Sequence, residues 1–274
     1  MSIKVEHLNH IYDKGLPTEQ IALEDISFEI GDNQILGIIG HTGSGKSTLL
    51  QHLNGLLKPY SGDITVDDTT ITKPGISMVE IRKRVGLVFQ YPEYQLFEES
   101  VKKDVAFGPK NLGLSDEEVE KRVKDAITLV GLDYEKIKDR SPFELSGGQK
   151  RAVAIAGVVA MMPKVLILDE PTAGLDPKSH DDVLDMVKKT HEKTHNTTIL
   201  VSHNMSDVAL ICDKVLVIDS GKMVTFGTPS EVFSQGELLK SVGLEIPPIT
   251  DFCNKLGIKE TVLDIETAID LITK

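Results

Sequence analysis

A glycine-rich run, GHTGSGKS from Gly40 to Ser47, has the residue types and spacing of a phosphate-binding loop. It matches the pattern GxxxxGK[ST], in which glycines let successive backbone N–H groups point inward at a phosphate. Lys46 would supply a mobile cation for the β- and γ-phosphates, and the Ser47 hydroxyl would bind Mg²⁺. The run therefore predicts a site for the phosphates of a nucleotide.

Two carboxylates follow a second apolar run. The residues Val165–Leu168 predict a buried strand, and Asp169 and Glu170 stand where it would emerge. Asp169 would hold the metal through water, because a hard cation prefers oxygen ligands. Glu170 would orient and activate a water that attacks the γ-phosphate. An acid pair after a strand is common on its own, but combined with the phosphate loop it indicates phosphoanhydride hydrolysis.

A third run, LSGGQ from Leu145 to Gln149, places Ser146 and two glycines ahead of an apolar helix. A helix start of this kind is a second anion-binding site. One bound nucleotide needs only one such loop. The helix start at Ser146 is therefore expected to contact a nucleotide that is held mainly by another subunit.

The elements that must position these residues are predicted to alternate between strand and helix. Strands are predicted at Ile3–Leu8, Ile21–Ile30, Gln34–Ile39, Val85–Phe89, Lys164–Leu168 and Thr198–Val201, with a hairpin of Lys214–Asp219 and Lys222–Phe226. Helices are predicted over Lys46–Leu56, from a capping box at Ser115–Glu118 to about Val130, over residues 152–162 and over residues 177–194. A strand that enters a glycine loop and then a helix is a unit of a parallel sheet, so the predicted fold class is α/β.

The sequence changes character after Gly227. A helix start, Thr-Pro-Ser-Glu from Thr228 to Glu231, follows at once. Near the end, four apolar residues have helical spacing and predict an amphipathic helix that needs a partner surface: Val262, Ile265, Ile269 and Ile272. We therefore expect a main domain over residues 1–227 and a small helical appendage over residues 228–274.

Composition limits the environment and the partners. The 274 residues carry a formal net charge of −12, so no overall field attracts nucleic acid or anionic lipid. The two cysteines, Cys212 and Cys253, are far apart and fit a reducing cytosol. The longest apolar run is far shorter than a membrane-spanning helix. We expect a soluble intracellular chain that would serve a membrane only through a partner.

In this order the motifs resemble those of the ATP-binding subunit of ABC (ATP-binding cassette) transporters, over about residues 3–227. The resemblance implies an α/β P-loop NTPase core with an antiparallel β subdomain and a helical signature subdomain at about residues 91–162. It implies that LSGGQ contacts the γ-phosphate of ATP bound to the opposite subunit of a head-to-tail dimer. ATP and Mg²⁺ are the implied cofactors.

The resemblance also assigns individual residues. Glu170, His203 and Gln90 are the implied catalytic residues, with His203 gripping the γ-phosphate; Ser47, Gln90 and Asp169 are the implied Mg²⁺ ligands. Tyr12 would stack on adenine, and Asp176 lies in the loop that crosses the dimer interface. The residues implied to bind ATP are Tyr12, Gly40, His41, Thr42, Gly43, Ser44, Gly45, Lys46, Ser47, Thr48, Ser146, Gly147, Gly148, Gln149 and Asp176.

Within the ABC family, several stretches resemble the ATPases of energy-coupling factor (ECF) importers of vitamins and metal ions, among them Gly40–Leu57, Phe89–Phe97 and Val165–Pro177. The His41-Thr42 pair resembles the second of the two paired ATPase types. The resemblance implies a related partner ATPase, in a heterodimer or a homodimer, a membrane scaffold protein and a substrate-binding membrane subunit, with the chain at the cytoplasmic face of the membrane. The aromatic and apolar segment Tyr91–Phe97 would seat the scaffold.

Three other classes share these motifs. A DNA-repair or chromosome-maintenance ATPase would carry a coiled coil or zinc insertion between the phosphate loop and LSGGQ, but this chain has neither. A translation factor would carry two cassettes, whereas this chain has one. A nucleotide-dependent clamp without hydrolysis would not need Glu170 and His203. The motor of a membrane importer therefore remains the favoured hypothesis.

Overall fold

The computed structural model describes residues 3–273. The chain divides into two compact units, one formed by Met1–Gly75 with Ile199–Lys274 and the other by Ile76–Thr198. The division at residue 228 and the helical subdomain at about residues 91–162 stay predictions.

Ten strands lie among the described residues. They are β1 Ile3–Tyr12, β2 Gln20–Ile30, β3 Ile35–Ile39, β4 Ser61–Val66, β5 Thr69–Thr70, β6 Val85–Val88, β7 Val165–Asp169, β8 Thr197–Val201, β9 Lys214–Asp219 and β10 Lys222–Gly227. Every strand predicted from the sequence is present, with ends shifted by a few residues.

Twelve α-helices lie among the same residues. They are α1 Lys46–Leu53, α2 Met78–Arg84, α3 Val101–Asn111, α4 Asp116–Leu129, α5 Tyr134–Ile137, α6 Gly147–Val159, α7 Pro177–Thr194, α8 Met205–Ile211, α9 Pro229–Phe233, α10 Gly236–Ser241, α11 Pro248–Lys255 and α12 Ile265–Ile272. In residues 3–273, none of these helices combines the length and the apolar character that crossing a membrane requires.

The first unit holds a four-stranded antiparallel sheet in the order β2-β1-β4-β5. It also holds β3, which pairs in parallel with β9, and β10, which pairs with β9 antiparallel. All five residues of β3 are buried, which explains its continuous apolar sequence. Because Ile39 lies opposite Val217 in the parallel register, the residues that follow β3 and β9 emerge at one edge of the sheet.

The second unit is mostly helical and contains β6 and β7 as a parallel pair. Helix α6 packs against α3 and α4, and its apolar side chains form much of the core of this unit. A short 3₁₀ helix, Pro92–Gln95, also packs against α6. Helix α6 thus supports both the LSGGQ motif at its start and the segment that follows β6.

Three predicted helices differ in detail: α1 ends at Leu53 rather than Leu56, α6 starts earlier than expected, and α4 has only half of its expected capping box. The apolar helix predicted at residues 152–162 runs instead over Gly147–Val159, because a reciprocal capping box between Ser146 and Gln149 starts it earlier. At the start of α4, Ser115 accepts from the Glu118 N–H at 3.3 Å, as expected for half of a capping box. The Glu118 carboxylate turns to Arg122 Nε at 2.7 Å, because a charged donor one turn along competes for it.

The C-terminal helix shows its predicted apolar face to the surface. The capping residue Asp264 starts α12 at Ile265, so Val262 precedes the helix and is buried. Ala268, rather than the isoleucines, packs inward with Val262 and Cys253. The three isoleucines of the predicted face are each at least half exposed: Ile265, Ile269 and Ile272. The prediction is therefore wrong in placing Val262 on this helix, whereas the surface that would cover the three isoleucines stays a prediction.

A buried histidine pair braces α1 against β1. His52 Nδ1 lies 2.7 Å from the Thr48 carbonyl oxygen, and His52 Nε2 lies 3.1 Å from His10 Nδ1. Since the carbonyl oxygen can only accept, His52 donates from Nδ1, and a neutral His52 then accepts at Nε2 from His10 Nδ1. Burial lowers the pKa of each ring, and the neighbouring His10 lowers the pKa of His52 further.

This pair makes the stability of the fold sensitive to acid. Because the folded-state pKa values are lowered, the unfolded chain binds more protons once the pH falls below about 6.5, and the free energy of unfolding then decreases. We expect urea unfolding to show this loss between about pH 7 and pH 5, and His52→Gln to reduce the pH slope. Parallel slopes for the wild-type and variant proteins would contradict the assignment.

Candidate nucleotide site

Strand β3 delivers the phosphate loop and α1 closes it. Gly40 directly follows β3, and the loop ends at Gly45, which caps α1 in the left-handed region with φ 109°. A Cβ on Gly40 would lie 2.2 Å from the Ile218 carbonyl oxygen, so only glycine fits between the loop and β9. The sequence pattern is thus explained by a close backbone approach as well as by turn geometry.

The interior of the loop is rich in donors and has no carboxylate in the first turn of α1. The buried Lys46 ammonium donates to the carbonyl oxygens of Gly40 at 2.7 Å and His41 at 3.0 Å, so it is held inside the loop. The Ser44 hydroxyl is buried, and within residues 3–273 it has no hydrogen-bond partner. A cation, an unsatisfied hydroxyl and a helix N-terminus together fit a phosphate group.

His41, in contrast, is engaged by the protein. Its Nε2 lies 2.6 Å from Asp219 Oδ1, and its Nδ1 lies 2.7 Å from the Thr42 carbonyl oxygen. Asp219 ends β9, the parallel neighbour of β3, so both groups emerge at the same edge. Sequence reasoning missed Asp219, although an acid at the carboxyl end of a strand adjacent to the loop strand was the available signal.

Tyr12 lies beside the first turn of α1. Its hydroxyl is 3.2 Å from Thr48 Oγ1, and its ring meets His10 edge-on with centroids 4.4 Å apart. About a third of the residue remains exposed (37%), so one part of the ring is open to a ligand. The structure therefore brings together two of the residues assigned to nucleotide binding, Tyr12 and Thr48, within the first unit.

The acid pair and the glutamine lie in the second unit. Asp169 is the last residue of β7, and Glu170 follows with a positive φ of 48°. Gln90 Nε2 donates to Glu170 Oε2 at 2.8 Å, so the predicted water-activating carboxylate is fixed by the predicted glutamine. A strained backbone at an acid that ends a buried strand is typical of a functional position. His203, in the first unit, follows β8 and is exposed.

The LSGGQ motif and the predicted interface loop share a cavity of about 670 Å³ in the second unit. Ser146, Gly147, Gly148 and Gln149 line it together with Asp176, and a Cβ on either glycine would meet nothing within 4 Å. Asp176 caps α7, and the Ser179 hydroxyl and N–H hold the pKa of its carboxyl below the usual range. The backbone of this helix start is therefore open to an approaching anion.

The segment Tyr91–Phe97 is largely exposed, as predicted for a docking surface. Tyr94 is 85% exposed and Phe97 is 57% exposed. Leu96 was expected in the same surface but is buried in the core, because the chain leaves the 3₁₀ helix in an extended conformation there. Beside the segment lies an apolar groove of about 430 Å³, which Phe97, Phe107 and Met161 help to line.

Comparison with known proteins agrees with this arrangement. A family model described as ABC transporter matches residues 23–173. Two solved structures share the fold. The first is cbiO1 from Clostridium perfringens, described as part of the ABC transporter complex cbiONQ; it is 41% identical, with a TM-score of 0.77 over 92% of this chain and 98% of that chain. The second is a dimeric ATP-binding cassette, MJ0796, bound to ADP and Pi; it is 26% identical, with a TM-score of 0.71 over 83% of this chain and 98% of that chain. The chain belongs to the ABC transporter family, and its predicted fold class is confirmed.

Curated relatives show to which group within the ABC transporter family the chain belongs. The energy-coupling factor transporter ATP-binding protein EcfA2 of Clostridium tetani is 58% identical over 98% of this chain and 95% of its own length. The EcfA2 of Clostridioides difficile is 56% identical over 100% of this chain and 97% of its own length. The chain therefore belongs to the energy-coupling factor transporter ATP-binding proteins. The DNA-maintenance and clamp alternatives gain no support from these relatives.

The close approach at Gly40 gives a test of the loop. Gly40→Ala must displace either Ile218 or the loop, a strain of about 1–3 kcal/mol, and we expect ATP affinity to fall roughly 10-fold or more. Calorimetric titration with ATP measures this affinity. Gly157→Ala is the control, because the nearest atom to its new Cβ, Val105 Cα, is 4.0 Å away. Equal ATP affinities for the two variants would contradict the loop geometry.

Proposed function

We propose that this chain is the ATP-hydrolysing subunit of an ECF-type ABC importer. The observation that carries the proposal is the Gln90–Glu170 hydrogen bond, which fixes a carboxylate base where a buried strand ends. Membership of the energy-coupling factor ATP-binding proteins supports the transport role. The chain uses ATP binding and hydrolysis as a motor for membrane partners.

ATP phosphates bind at the loop Gly40–Ser47. Backbone N–H groups and the dipole of α1 meet the phosphate oxygens, and Lys46 exchanges its loop carbonyls for the β- and γ-phosphates. Tyr12 stacks on adenine while Thr48 fixes its hydroxyl. The buried Ser44 hydroxyl gains a partner when phosphate enters.

Ser47, Gln90 and Asp169 are the residues that would hold Mg²⁺. Hydroxyl, amide and carboxylate oxygens suit this cation, and in residues 3–273 no three His, Cys, Asp or Glu side chains form a metal site of their own. The ion's coordination would therefore depend on nucleotide oxygens. When bound, Mg²⁺ neutralises charge that develops on the β- and γ-phosphates.

Glu170 accepts a proton from the attacking water, and Gln90 keeps the carboxylate oriented. His203 contacts the γ-phosphate from the end of β8. The Gln90 amide holds the Glu170 side chain in place before ATP arrives, and the surrounding structure maintains the positive φ of Glu170. Hydrolysis is thus an in-line attack by an oriented water with little movement required of the protein.

The second helix start completes the site of another subunit. Ser146–Gln149 and Asp176 line an open cavity, and the start of α6 carries no carboxylate. ATP held by Lys46 of one subunit is covered by this surface of the other. The dimeric ADP- and Pi-bound cassette structure supports this arrangement. A related ATPase is the partner, in a heterodimer or a homodimer, and loss of the γ-phosphate lets the pair open.

We call Tyr91–Phe97 the docking segment. Its exposed aromatic rings, beside an apolar groove, would seat a membrane scaffold protein, which in turn carries a substrate-binding membrane subunit. The description of cbiO1 as part of a transporter complex supports such partners. The chain then lies at the cytoplasmic face of the membrane, and the cargo is a vitamin or a metal ion.

Replacing the base separates binding from turnover. Glu170→Gln preserves shape but removes the proton acceptor, so we expect unchanged ATP affinity, kcat lowered by about 10²–10⁴-fold and a more persistent ATP-bound dimer. Phosphate release and size-exclusion chromatography with ATP measure these effects. Glu192→Gln, at an exposed position on α7 outside the cavity beside LSGGQ, serves as the control. Wild-type turnover by Glu170→Gln would refute the role of Glu170.

A further inference from the structure

Arg151 is a fully buried charge in the second unit. It lies in the first turns of α6, two residues after the LSGGQ motif, and only 2% of it is exposed. The residues that follow it on the helix are apolar, and an apolar side chain at this position would pack without the cost of desolvating a charge. The position of an arginine here therefore calls for an explanation other than stability.

The guanidinium group makes two kinds of contact at once. Toward the docking segment, Arg151 Nε and Nη2 donate to the two carboxylate oxygens of Glu93 at 3.1 and 2.9 Å. Toward the loop after β7, Arg151 Nη1 donates to the carbonyl oxygens of Pro171 at 2.9 Å and Ala173 at 3.0 Å. Four hydrogen bonds thus join three separate stretches of chain.

Glu93 is held firmly as an anion by this arrangement. Partial burial would raise its pKa, but the hydrogen bonds and charge of Arg151 outweigh burial and hold the pKa below the usual range of a glutamate. A bidentate pair of this kind fixes direction as well as distance. The 3₁₀ helix Pro92–Gln95 therefore cannot shift without moving Arg151 or breaking the pair.

The carbonyl contacts lie in the turn that carries the base. Ala173 N–H donates to the Glu170 carbonyl oxygen at 3.1 Å, which closes a turn directly after Glu170. Arg151 holds two carbonyl oxygens of this turn, those of Pro171 and Ala173. Arg151 therefore helps to hold the turn in which Glu170 has its positive φ of 48°.

The docking segment also reaches Glu170 directly. Gln90 immediately precedes the segment and hydrogen-bonds the Glu170 carboxylate. Tyr91 has a positive φ of 55°, and a Cβ on Gly174 would lie 3.6 Å from the Tyr91 ring. Two links therefore join the same segment to the same turn, one through Gln90 and the other through Glu93 and Arg151.

We propose that Arg151 is a positioning residue that ties the docking segment to the turn carrying Glu170, so that seating of the membrane partner sets the placement of the base. The inference rests on the proposed function, which supplies the roles of Glu170 and of the docking segment. A lysine would keep the charge but lacks the planar fork, so it cannot hold Glu93 and both carbonyls together. Arg151 therefore acts through the directions of its hydrogen bonds rather than through its positive charge alone.

The test uses the full chain assembled with its partner ATPase and membrane subunits in lipid nanodiscs. Arg151→Lys and Glu93→Gln are compared with wild type for kcat, KM for ATP and thermal unfolding. Because a displaced base costs turnover rather than binding, we expect kcat to fall by about 10–100-fold with little change in KM. Glu93→Gln keeps the assay decisive if Arg151→Lys does not fold.

Arg122→Lys is the matched control. Arg122 also pairs with a glutamate, Glu118, and reaches the Met161 carbonyl oxygen at 3.4 Å, but it contacts neither Glu93 nor the turn. Its variant should keep kcat within about 2-fold. Similar losses of kcat in Arg122→Lys and Arg151→Lys would overturn the proposal, because they would show a general effect of losing an arginine fork.

A double variant separates this inference from the proposed function. Since Arg151 acts through Glu170, adding Arg151→Lys to Glu170→Gln should lower the residual kcat no further, whereas independent effects would multiply. A further 10-fold or greater loss would overturn the positioning role, as would wild-type kcat in both Arg151→Lys and Glu93→Gln. Wild-type turnover by Glu170→Gln alone would instead refute the proposed function.

Discussion

The attraction between a triphosphate and a small set of fixed donors is the interaction on which the rest of the site depends. The chain carries a net charge of −12, so long-range electrostatics repel a nucleotide rather than attract it. Binding must come from a short stretch where backbone N–H groups, a helix dipole and Lys46 point at one place. The buried strand β3 and the close approach of Gly40 to Ile218 exist to hold that stretch rigid.

The start of α6 also offers backbone N–H groups and a helix dipole to an anion, but with a different consequence. The capping box between Ser146 and Gln149 leaves the glycine backbone open, and the cavity beside it is lined by Lys189 but also by three aspartates, Asp176, Asp182 and Asp185. In the proposed function, another subunit brings the phosphate to this helix start, and nucleotide binding is then a means of joining two subunits.

Sequence reasoning succeeded where structure is decided locally. The phosphate loop, the strand before Asp169, helix α7 and the capping box at Thr228 are all set by neighbouring residues, and each appears as predicted. It failed where distant residues decide, as at Leu96, which turns into the core. It also missed one local signal, the cap at Asp264, which starts α12 after Val262. The partners of Arg151 lie 58, 20 and 22 residues away, beyond any spacing rule.

The central claim, that ATP joins two incomplete half-sites, is tested most directly by the dependence of ATP turnover per subunit on protein concentration, measured for the wild-type chain and for Ser146→Ala. The account predicts that turnover per subunit rises with protein concentration as subunits pair, and that Ser146→Ala lowers this turnover at every concentration. Losing the helix cap at Ser146 costs only about 1 kcal/mol of stability, so the variant remains folded and unfolding does not explain the lower turnover. Full turnover per subunit at dilutions where the chain is monomeric, undiminished in Ser146→Ala, would contradict it.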